Sequence, residues 1–277
     1  MLKLTAENYY SREANQAYFS ASQIKVFLEC ESRTMAELRG EYEREPSKAL
    51  LVGGYVDAVL CGGDMDVFIQ EHPQIFTLKG MLRSDFRKAD EIIERIQSDK
   101  LATMMLDGDH QQILTGKIFG QPFKAKLDSW LTYSQCRKIW EAFPGMEDLM
   151  MPAGAIVDLK VVKDFEPMYR EGAGRLNFIE AWQYDLQLAI YQELKRLLIG
   201  EQVPCYILGA TKEEDPNIDL FQIPQPLMDA NLEILKPRLE RLAAVKAGKE
   251  EPIGCGTCEW CRRTKKLTHA RWLEGWA

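Results

Sequence analysis

Acidic and basic side chains interrupt two apolar segments of the chain with a spacing that could support phosphodiester hydrolysis. The segment AIVDLKVV reads as a buried β-strand, and its Asp158 and Lys160 are two residues apart, so both point to one face. The preceding predicted strand carries Lys124, Lys126 and Asp128 on one face. If the strands are neighbours, Asp128 and Asp158 converge beside a lysine. Carboxylates bind Mg²⁺, which lowers the pKa of bound water, and a lysine can orient or deprotonate that water or stabilise negative charge.

A structural interpretation of the Asp158–Lys160 pair competes with the chemical one. A half-buried ion pair on an edge strand would use the same two residues. The triplet is also weak by itself, because Glu193-Leu194-Lys195 has the same form. We expect that second triplet to lie on the solvated face of a long helix.

The elements that would position these residues follow from hydrophobic periodicity and from capping residues. Helices are predicted over Phe19–Gly40, Ser47–Leu60, Ser84–Met105, Leu176–Ile199 and Leu227–Val245. Strands are predicted over Gln112–Phe119, Pro122–Leu131, Gly154–Val162, Val203–Ala210 and Asp219–Ile223. This order predicts an α/β fold in which a small mixed β-sheet is flanked by helices.

Composition and charge favour a cytoplasmic globular protein. The 277 residues are 46% hydrophobic and 28% charged, and no apolar run is long enough to span a bilayer. A net charge of −7 argues against a protein that coats nucleic acid nonspecifically, although a local basic groove can still guide one substrate. The stretch Trp260–Ala277 is basic, so it either contacts phosphate or forms a solvated face. Its charges are Arg262, Arg263, Lys265, Lys266 and Arg271 against Glu274.

Several motifs follow one another in an order that resembles a known nuclease family. They are Ser20–Cys30, Gly53–Asp57 in the second helix, Lys124–Asp128, Ile156–Lys160, and Gln187–Tyr191. In this order the sequence is similar to the phage and prophage RecE-like exonucleases. These form a branch of the PD-(D/E)XK superfamily, which also contains lambda exonuclease and the RecB/AddB nuclease domains. The resemblance extends from about residue 18 to residue 263.

The resemblance implies roles for individual residues. The implied metal ligands are Asp57, Asp128, Asp158 and the carbonyl of Leu159, and the implied catalytic lysine is Lys160. Many relatives carry a histidine at the position of Asp57, and a solvated helix residue is the alternative there. Gln187 and Tyr191, at positions i and i+4 of one helix, would reach the lysine or the DNA phosphates. Helix packing is the alternative for both.

A cysteine cluster near the C-terminus is typical of a metal site. Cys255, Cys258 and Cys261 form two overlapping Cys-x-x-Cys units. The resemblance to AddB-like nucleases implies that Cys30 completes an iron–sulfur cluster, although the relatives have a longer final spacing. His269 is an alternative fourth ligand, for zinc, and free surface thiols are a further alternative. A thioredoxin-like motif is excluded, because the cysteines lie in a polar tail rather than between a strand and a helix.

These features predict a metal-dependent deoxyribonuclease that uses Mg²⁺ or Mn²⁺. The resemblance implies a 5′–3′ exonuclease acting on duplex DNA with free ends in phage-type homologous recombination. It also implies a RecT-like annealing partner and a homo-oligomer. An iron–sulfur nuclease acting on single-stranded DNA ends and an inactive DNA-binding scaffold are the alternatives. We expect a nuclease domain over residues 1–250 and a cysteine-rich basic tail over residues 251–277 packed on it.

Overall fold

The computed structural model describes residues 2–146, 153–170, 172–267 and 270, and it is built around a five-stranded mixed sheet. The strands of the described chain are β1 (Asp109–Ile118), β2 (Gln121–Leu131), β3 (Ala155–Val162), β4 (Met168–Arg170), β5 (Gly174–Leu176), β6 (Cys205–Thr211) and β7 (Ile218–Gln222). The main sheet has the order β1-β2-β3-β6-β7, and β4 pairs separately with β5. Only β3 and β6 run parallel within the described sheet, and the other neighbours are antiparallel. The predicted small mixed sheet is therefore confirmed.

Helices cover both faces of this sheet. They are α1 (Arg12–Ala17), α2 (Ala21–Glu29), α3 (Glu31–Arg39), α4 (Lys48–Leu60), α5 (Met65–Glu71), α6 (Ser84–Gln97), α7 (Lys100–Leu106), α8 (Tyr133–Ala142), α9 (Phe178–Ala181), α10 (Tyr184–Ile199), α11 (Gln225–Lys246) and α12 (Glu259–Thr264), with a 3₁₀ turn at Pro73–Ile75. Apolar side chains of α2, α3, α9, α10 and α11 fill the core on one face. Those of α4, α6, α7 and α8 fill the other.

Three predicted helices are shorter or more divided in the structure. The predicted helix Phe19–Gly40 is wrong as one element, because Cys30 is extended and separates α2 from α3. The thiol of Cys30 accepts a hydrogen bond from the amide of Arg33 and so caps the second helix. Asp99 likewise begins a new helix inside the predicted Ser84–Met105, because its carboxylate caps α7. The predicted start at Leu176 is also wrong, since Gln183 adopts φ 53° immediately before α10.

The expectation of a solvated face at Glu193-Leu194-Lys195 is wrong for the lysine. Lys195 is buried, and its Nζ donates to Gln112 Oε1 at 2.6 Å and lies 3.6 Å from the ring centroid of Trp130. Helix α10 packs across β1 and β2, so this side chain meets the sheet. Glu193 instead pairs with Arg196 on the same helix.

The strand that carries the candidate aspartate and lysine lies at the centre of the sheet. β3 is the third of five strands, so the interpretation of an ion pair on an edge strand is wrong about its position. Val157 and Leu159 pack into one core, while Ile156 packs into the other. Asp158 therefore shares its face with Ile156, between the sheet and helices α2 and α10.

The segment after α11 packs on the N-terminal helices. The amide of Ser32 donates to the carbonyl of Ile253 at 3.1 Å, and the amide of Ile253 donates to Glu31 Oε2 at 2.8 Å. The division into a nuclease domain over residues 1–250 and a tail over residues 251–277 stays a prediction. No helix in the described ranges is both long and apolar enough to cross a membrane.

Candidate active site

Strands β2 and β3 separate where the two predicted aspartates lie. The strands pair from Leu131–Ala155 to Ser129–Val157, and the next positions in this register are Asp128 and Asp158. Backbone pairing between β2 and β3 ends there, and the amide of Leu159 donates instead to the side chain of Asp128, at 2.9 Å from Oδ2. The separation lets both carboxylates occupy the gap between the strands.

Two of the predicted site residues, Lys160 and Gln187, hold the carboxylate of Asp158. This side chain is 1% exposed, and its Oδ1 accepts a hydrogen bond from Gln187 Nε2 at 2.9 Å. The Nε2 of Gln187 also lies 3.3 Å from Tyr191 Oη. Lys160 Nζ forms an ion pair with Asp158 Oδ2 and donates to the Leu159 carbonyl at 3.3 Å. The structure thus brings together the strand motif and the Gln-x-x-x-Tyr helix that the sequence placed about thirty residues apart.

The third predicted carboxylate, Asp57, comes to the same place from the end of α4. Its Oδ1 is buried and has no hydrogen-bond partner, so the alternative of a solvated helix residue is not supported. Oδ2 of Asp158 also lacks a hydrogen bond, although the Lys160 ammonium lies beside it. Buried carboxylate oxygens without a donor are costly unless a cation is close.

Burial and mutual repulsion dominate the electrostatics of the site. Burial raises the pKa of Asp128 well above its ordinary value, and the nearby charge of Asp158 raises it further. Burial also raises the pKa of Asp57, against the opposing charges of Lys160 and Lys126. For Lys160, burial lowers the pKa, but the charges of Asp158 and Asp128 outweigh burial and raise it. Three carboxylates therefore share a buried site with the Lys160 ammonium, and a bound cation would relieve their mutual repulsion.

The donor set fits a hard divalent cation. Carboxylate oxygens with the carbonyl of Leu159 are the oxygen ligands that Mg²⁺ and Mn²⁺ prefer. The oxygens are nevertheless not gathered as tightly as a closed metal site. Among the described residues, only four cysteines bring three or more ligand atoms of His, Cys, Asp or Glu within 4.8 Å of one another. The Lys160 ammonium beside Asp158 supplies one positive charge in this arrangement.

Sequence reasoning missed two residues around the aspartates. Lys25 on α2 donates from Nζ to Gln187 Oε1 at 3.0 Å. His110 Nδ1 lies 2.9 Å from the carbonyl of Asp128 and supports that residue from β1. Lys25 lies inside the Ser20–Cys30 motif, and a lysine between Ile24 and Val26 was the only available signal for it.

The two lysines predicted to share a face with Asp128 differ in their surroundings. Lys124 is buried, and its Nζ donates to Asn15 Oδ1 at 2.8 Å and to the carbonyl of Tyr9. Lys126 Nζ lies 4.7 Å from the ring centroid of Tyr10, and its charge acts on Asp57. The lysine that converges on both aspartates is therefore Lys160.

The four predicted cysteines form one cluster that joins the tail to the break between α2 and α3. The ligand atoms of Cys30, Cys255, Cys258 and Cys261 all lie within 4.8 Å of one another. The sulfur of Cys30 is 3.6 Å from that of Cys261 and 3.8 Å from that of Cys258. We call this group the cysteine clip. The alternative ligand His269 lies outside the described residues.

Backbone amides point at the sulfurs of the cysteine clip. The amide of Cys258 donates to Cys255 Sγ at 3.3 Å, and that of Cys261 donates to Cys258 Sγ at 3.5 Å. Cys30 Sγ accepts from the amides of Arg33 and Cys255. Hydrogen bonds from the Thr257 hydroxyl and from backbone amides lower the pKa of Cys255 to about 5. Such bonds favour thiolates, which are the metal-binding form of cysteine.

Other features of the tail are only partly described. Arg262, Arg263, Lys265 and Lys266 are exposed, and Arg271 lies outside the described residues. Cys61, Cys136 and Cys205 are buried away from the clip, as expected of packing residues.

A mixed sheet between helices, with an Asp-x-Lys strand at the point where two strands separate, defines the class of PD-(D/E)XK nucleases. The chain belongs to a family described as a PDDEXK-like domain of unknown function, whose profile matches residues 20–136 and 142–264. A crystal structure described as a putative exonuclease from Eubacterium rectale is 37% identical. It superposes with a TM-score of 0.86 over 98% of this chain and 97% of that one. No protein with a curated description matches the sequence.

Proposed function

We propose that the chain is a metal-dependent deoxyribonuclease whose active site consists of Asp57, Asp128, Asp158, Lys160 and Gln187. The observation that carries this proposal is the convergence of buried carboxylates and one ammonium at the gap between β2 and β3. Burying these charged side chains together lowers the stability of the fold, which supports a functional role for them. The family and the fold support the coarser assignment of a nuclease.

Each residue has a distinct proposed task. Asp57, Asp128, Asp158 and the Leu159 carbonyl would hold Mg²⁺ or Mn²⁺, which when bound supplies charge neutralisation and an acidified water. The ammonium of Lys160 stabilises negative charge on the phosphate oxygens and orients the attacking water. Gln187 restrains the Asp158 carboxylate through one hydrogen bond, and Tyr191 restrains Gln187. The amide of Leu159 fixes Asp128 in the same way.

We further propose a substrate and partners for this chemistry. The resemblance to the RecE-like exonucleases supports a 5′–3′ exonuclease that resects duplex DNA from free ends, and the structural relative is described as a putative exonuclease. A RecT-like annealing protein would bind the exposed strand, and a homo-oligomer would hold the duplex during repeated cleavage. The support for these partners is the resemblance to phage recombination nucleases.

Matched DNA substrates test the activity. End-labelled linear duplexes and covalently closed circles are incubated with the protein in Mg²⁺ or in EDTA. We expect loss of the linear DNA only, in Mg²⁺ only, with a label on the 5′ end released before a label on the 3′ end. Cleavage of closed circles would contradict an exonuclease. The absence of cleavage in both Mg²⁺ and Mn²⁺ would favour the inactive scaffold.

The sulfur spacing of the cysteine clip favours a single zinc ion over an iron–sulfur cluster. Four sulfurs at about 2.3 Å from one tetrahedral ion stand about 3.8 Å apart. The sulfur of Cys30 lies 3.6 Å from that of Cys261 and 3.8 Å from that of Cys258, and all four lie within 4.8 Å of one another. In a four-iron cluster each cysteine binds a different iron, so the sulfurs must stand farther apart. We therefore propose a structural zinc site. The iron–sulfur nuclease that acts on single-stranded ends has less support.

A further inference from the structure

Lys25 reaches the candidate active site from α2, where it lies partly buried without a carboxylate partner. The described ion pairs do not include it, and its hydrogen bond is the one to Gln187 Oε1. The nearest acidic groups that act on it are engaged elsewhere. Asp158 pairs with Lys160, and Asp185 accepts a hydrogen bond from Asn231. An ammonium has three donors, so two remain for a further acceptor.

The hydrogen bond from Lys25 fixes which way the Gln187 amide points. An ammonium can only donate, so the oxygen of the amide must face Lys25. The NH₂ group of Gln187 then faces Asp158 Oδ1 at 2.9 Å and Tyr191 Oη at 3.3 Å. Lys25 is thus linked to the Asp158 carboxylate through one intervening side chain.

Lys25 and Lys160 approach the same aromatic ring. Their Nζ atoms lie 4.9 and 5.3 Å from the ring centroid of Tyr184. Burial lowers the pKa of Lys25 to about 7, and the like charge of Lys160 contributes to this shift. The like charges of Lys25 and Lys160 repel each other in the free protein, and an anion bound between them would offset that repulsion.

We propose that Lys25 is a second phosphate-binding cation of this site and also positions Asp158 through Gln187. The ligand is a phosphate of the DNA strand that is cut, so this inference rests on the proposed nuclease function. Lys160 would act at the reacting phosphate, while Lys25 would hold the strand and keep the Gln187 amide oriented. The chain thereby uses a lysine of the Ser20–Cys30 motif to bind substrate.

The salt dependence of DNA binding tests this role directly. Binding of a short linear duplex is measured with Ca²⁺ in place of Mg²⁺ at several salt concentrations, and cleavage is measured separately in Mg²⁺. For Lys25→Met we expect the negative slope of log K against log salt to become about one unit less steep, as for the loss of one phosphate contact. We also expect kcat/KM to fall about 10- to 100-fold, as for the loss of a charge-assisted hydrogen bond.

Two further variants separate binding from folding. Lys25→Arg keeps the charge and should keep the wild-type slope. Lys246→Met is the matched control, because Lys246 is also a partly buried lysine whose Nζ donates to protein oxygens, at 2.7 Å from Tyr18 O and Gln23 Oε1. We expect Lys246→Met to keep the wild-type slope even if its melting temperature falls.

Either of two results would overturn the role of Lys25. One is a wild-type slope and a wild-type rate in Lys25→Met. The other is loss of activity in Lys25→Met, Lys25→Arg and Lys246→Met alike, in step with their melting temperatures. Both results require a wild-type protein that cuts DNA. If wild type cuts no DNA, the proposed nuclease function fails instead, and the two failures can be told apart.

Discussion

Asp158 is restrained on several sides, and each restraint has a different physical origin. The strand fixes its direction, Gln187 donates to one oxygen, and Lys160 pairs with the other. Asp128 and Asp57 lie nearby, and burial raises the pKa of both because it disfavours their charged forms. Such an arrangement is more favourable when a cation is bound than in the free protein. At this scale the proposed chemistry follows from the three buried carboxylates that converge beside Lys160.

Asp57 provides the sharpest test of metal binding by a single residue. Asp57→Asn keeps the size of the side chain but removes the charge from an oxygen that has no hydrogen-bond donor. We expect the Mg²⁺ concentration for half-maximal cleavage to rise by about tenfold or more, since even outer partners of a metal change affinity by 10- to 100-fold. The melting temperature should not fall, because the substitution removes a buried charge whose desolvation outweighs the attraction of Lys160 and Lys126.

Asp66→Asn is the control for this substitution, since Asp66 is exposed on α5. It should leave the Mg²⁺ requirement unchanged. A Mg²⁺ titration of Asp57→Asn that coincides with wild type would remove Asp57 from the metal ligands.

The sequence predicted some residues of the site much better than others. The convergence of Asp128 and Asp158 followed from strand periodicity, which depends only on local spacing. Lys25 could not be found this way, because its contact with Gln187 joins residues 162 positions apart. Helix periodicity alone assigns such a lysine to a solvated face.

At the scale of elements, the cysteine clip holds three parts of the chain together. Cys30 lies at the break between α2 and α3, while Cys258 caps α12. The backbone of Gly254 lies close to the sulfur of Cys261, and a Cβ at this position would lie only 2.9 Å from Cys261 Sγ. A larger residue at position 254 would therefore disturb the clip. Trp260 on α12 also donates from Nε1 to Ser32 Oγ at 3.1 Å. The tail is thus tied to the helices that carry the Ser20–Cys30 motif.

Removal of the clip should lower stability without removing the active site. We expect Cys258→Ser to lose the bound metal and to lower the melting temperature by several degrees, since about 1 kcal/mol shifts it by roughly 2–4 °C in a domain of this size. Metal content and thermal melting with and without a chelator measure both effects. Cys205→Ala is the control, because Cys205 is buried outside the clip.

The control variant should melt lower than wild type but keep its metal and its sensitivity to the chelator. A structural zinc site would be contradicted if purified wild-type protein contains no stoichiometric zinc and if chelators do not change its melting temperature. A visible absorbance band in anaerobically purified protein would instead indicate iron–sulfur.

The divisions between elements were harder to predict than the elements themselves. Periodicity continued through Cys30 and Ser98, so each pair of helices read as one. At that break the sulfur of Cys30 also contacts residues more than 220 positions away. No local pattern contains that information, whereas the strands of the main sheet were predicted to within a few residues because their alternation is local.

At the scale of the whole molecule, the sheet divides the chain into two cores and places the site between them. Helix α4 brings Asp57 from one side, and α2 and α10 bring Lys25 and Gln187 from the other. The net charge of −7 discourages nonspecific DNA binding, so the proposed DNA substrate would be bound by the local cations at this gap. The site is therefore assembled from motifs that lie far apart along the chain.

The most direct test of the account is single-turnover cleavage of linear duplex DNA by Lys160→Ala, with binding measured in parallel. We predict a rate at least about 100-fold below wild type, as for the loss of a group that acts on the reacting atoms, with binding largely retained. Lys163→Ala, which changes an exposed lysine just beyond the strand, should cut at the wild-type rate. Cleavage by Lys160→Ala at the wild-type rate would contradict the site described here.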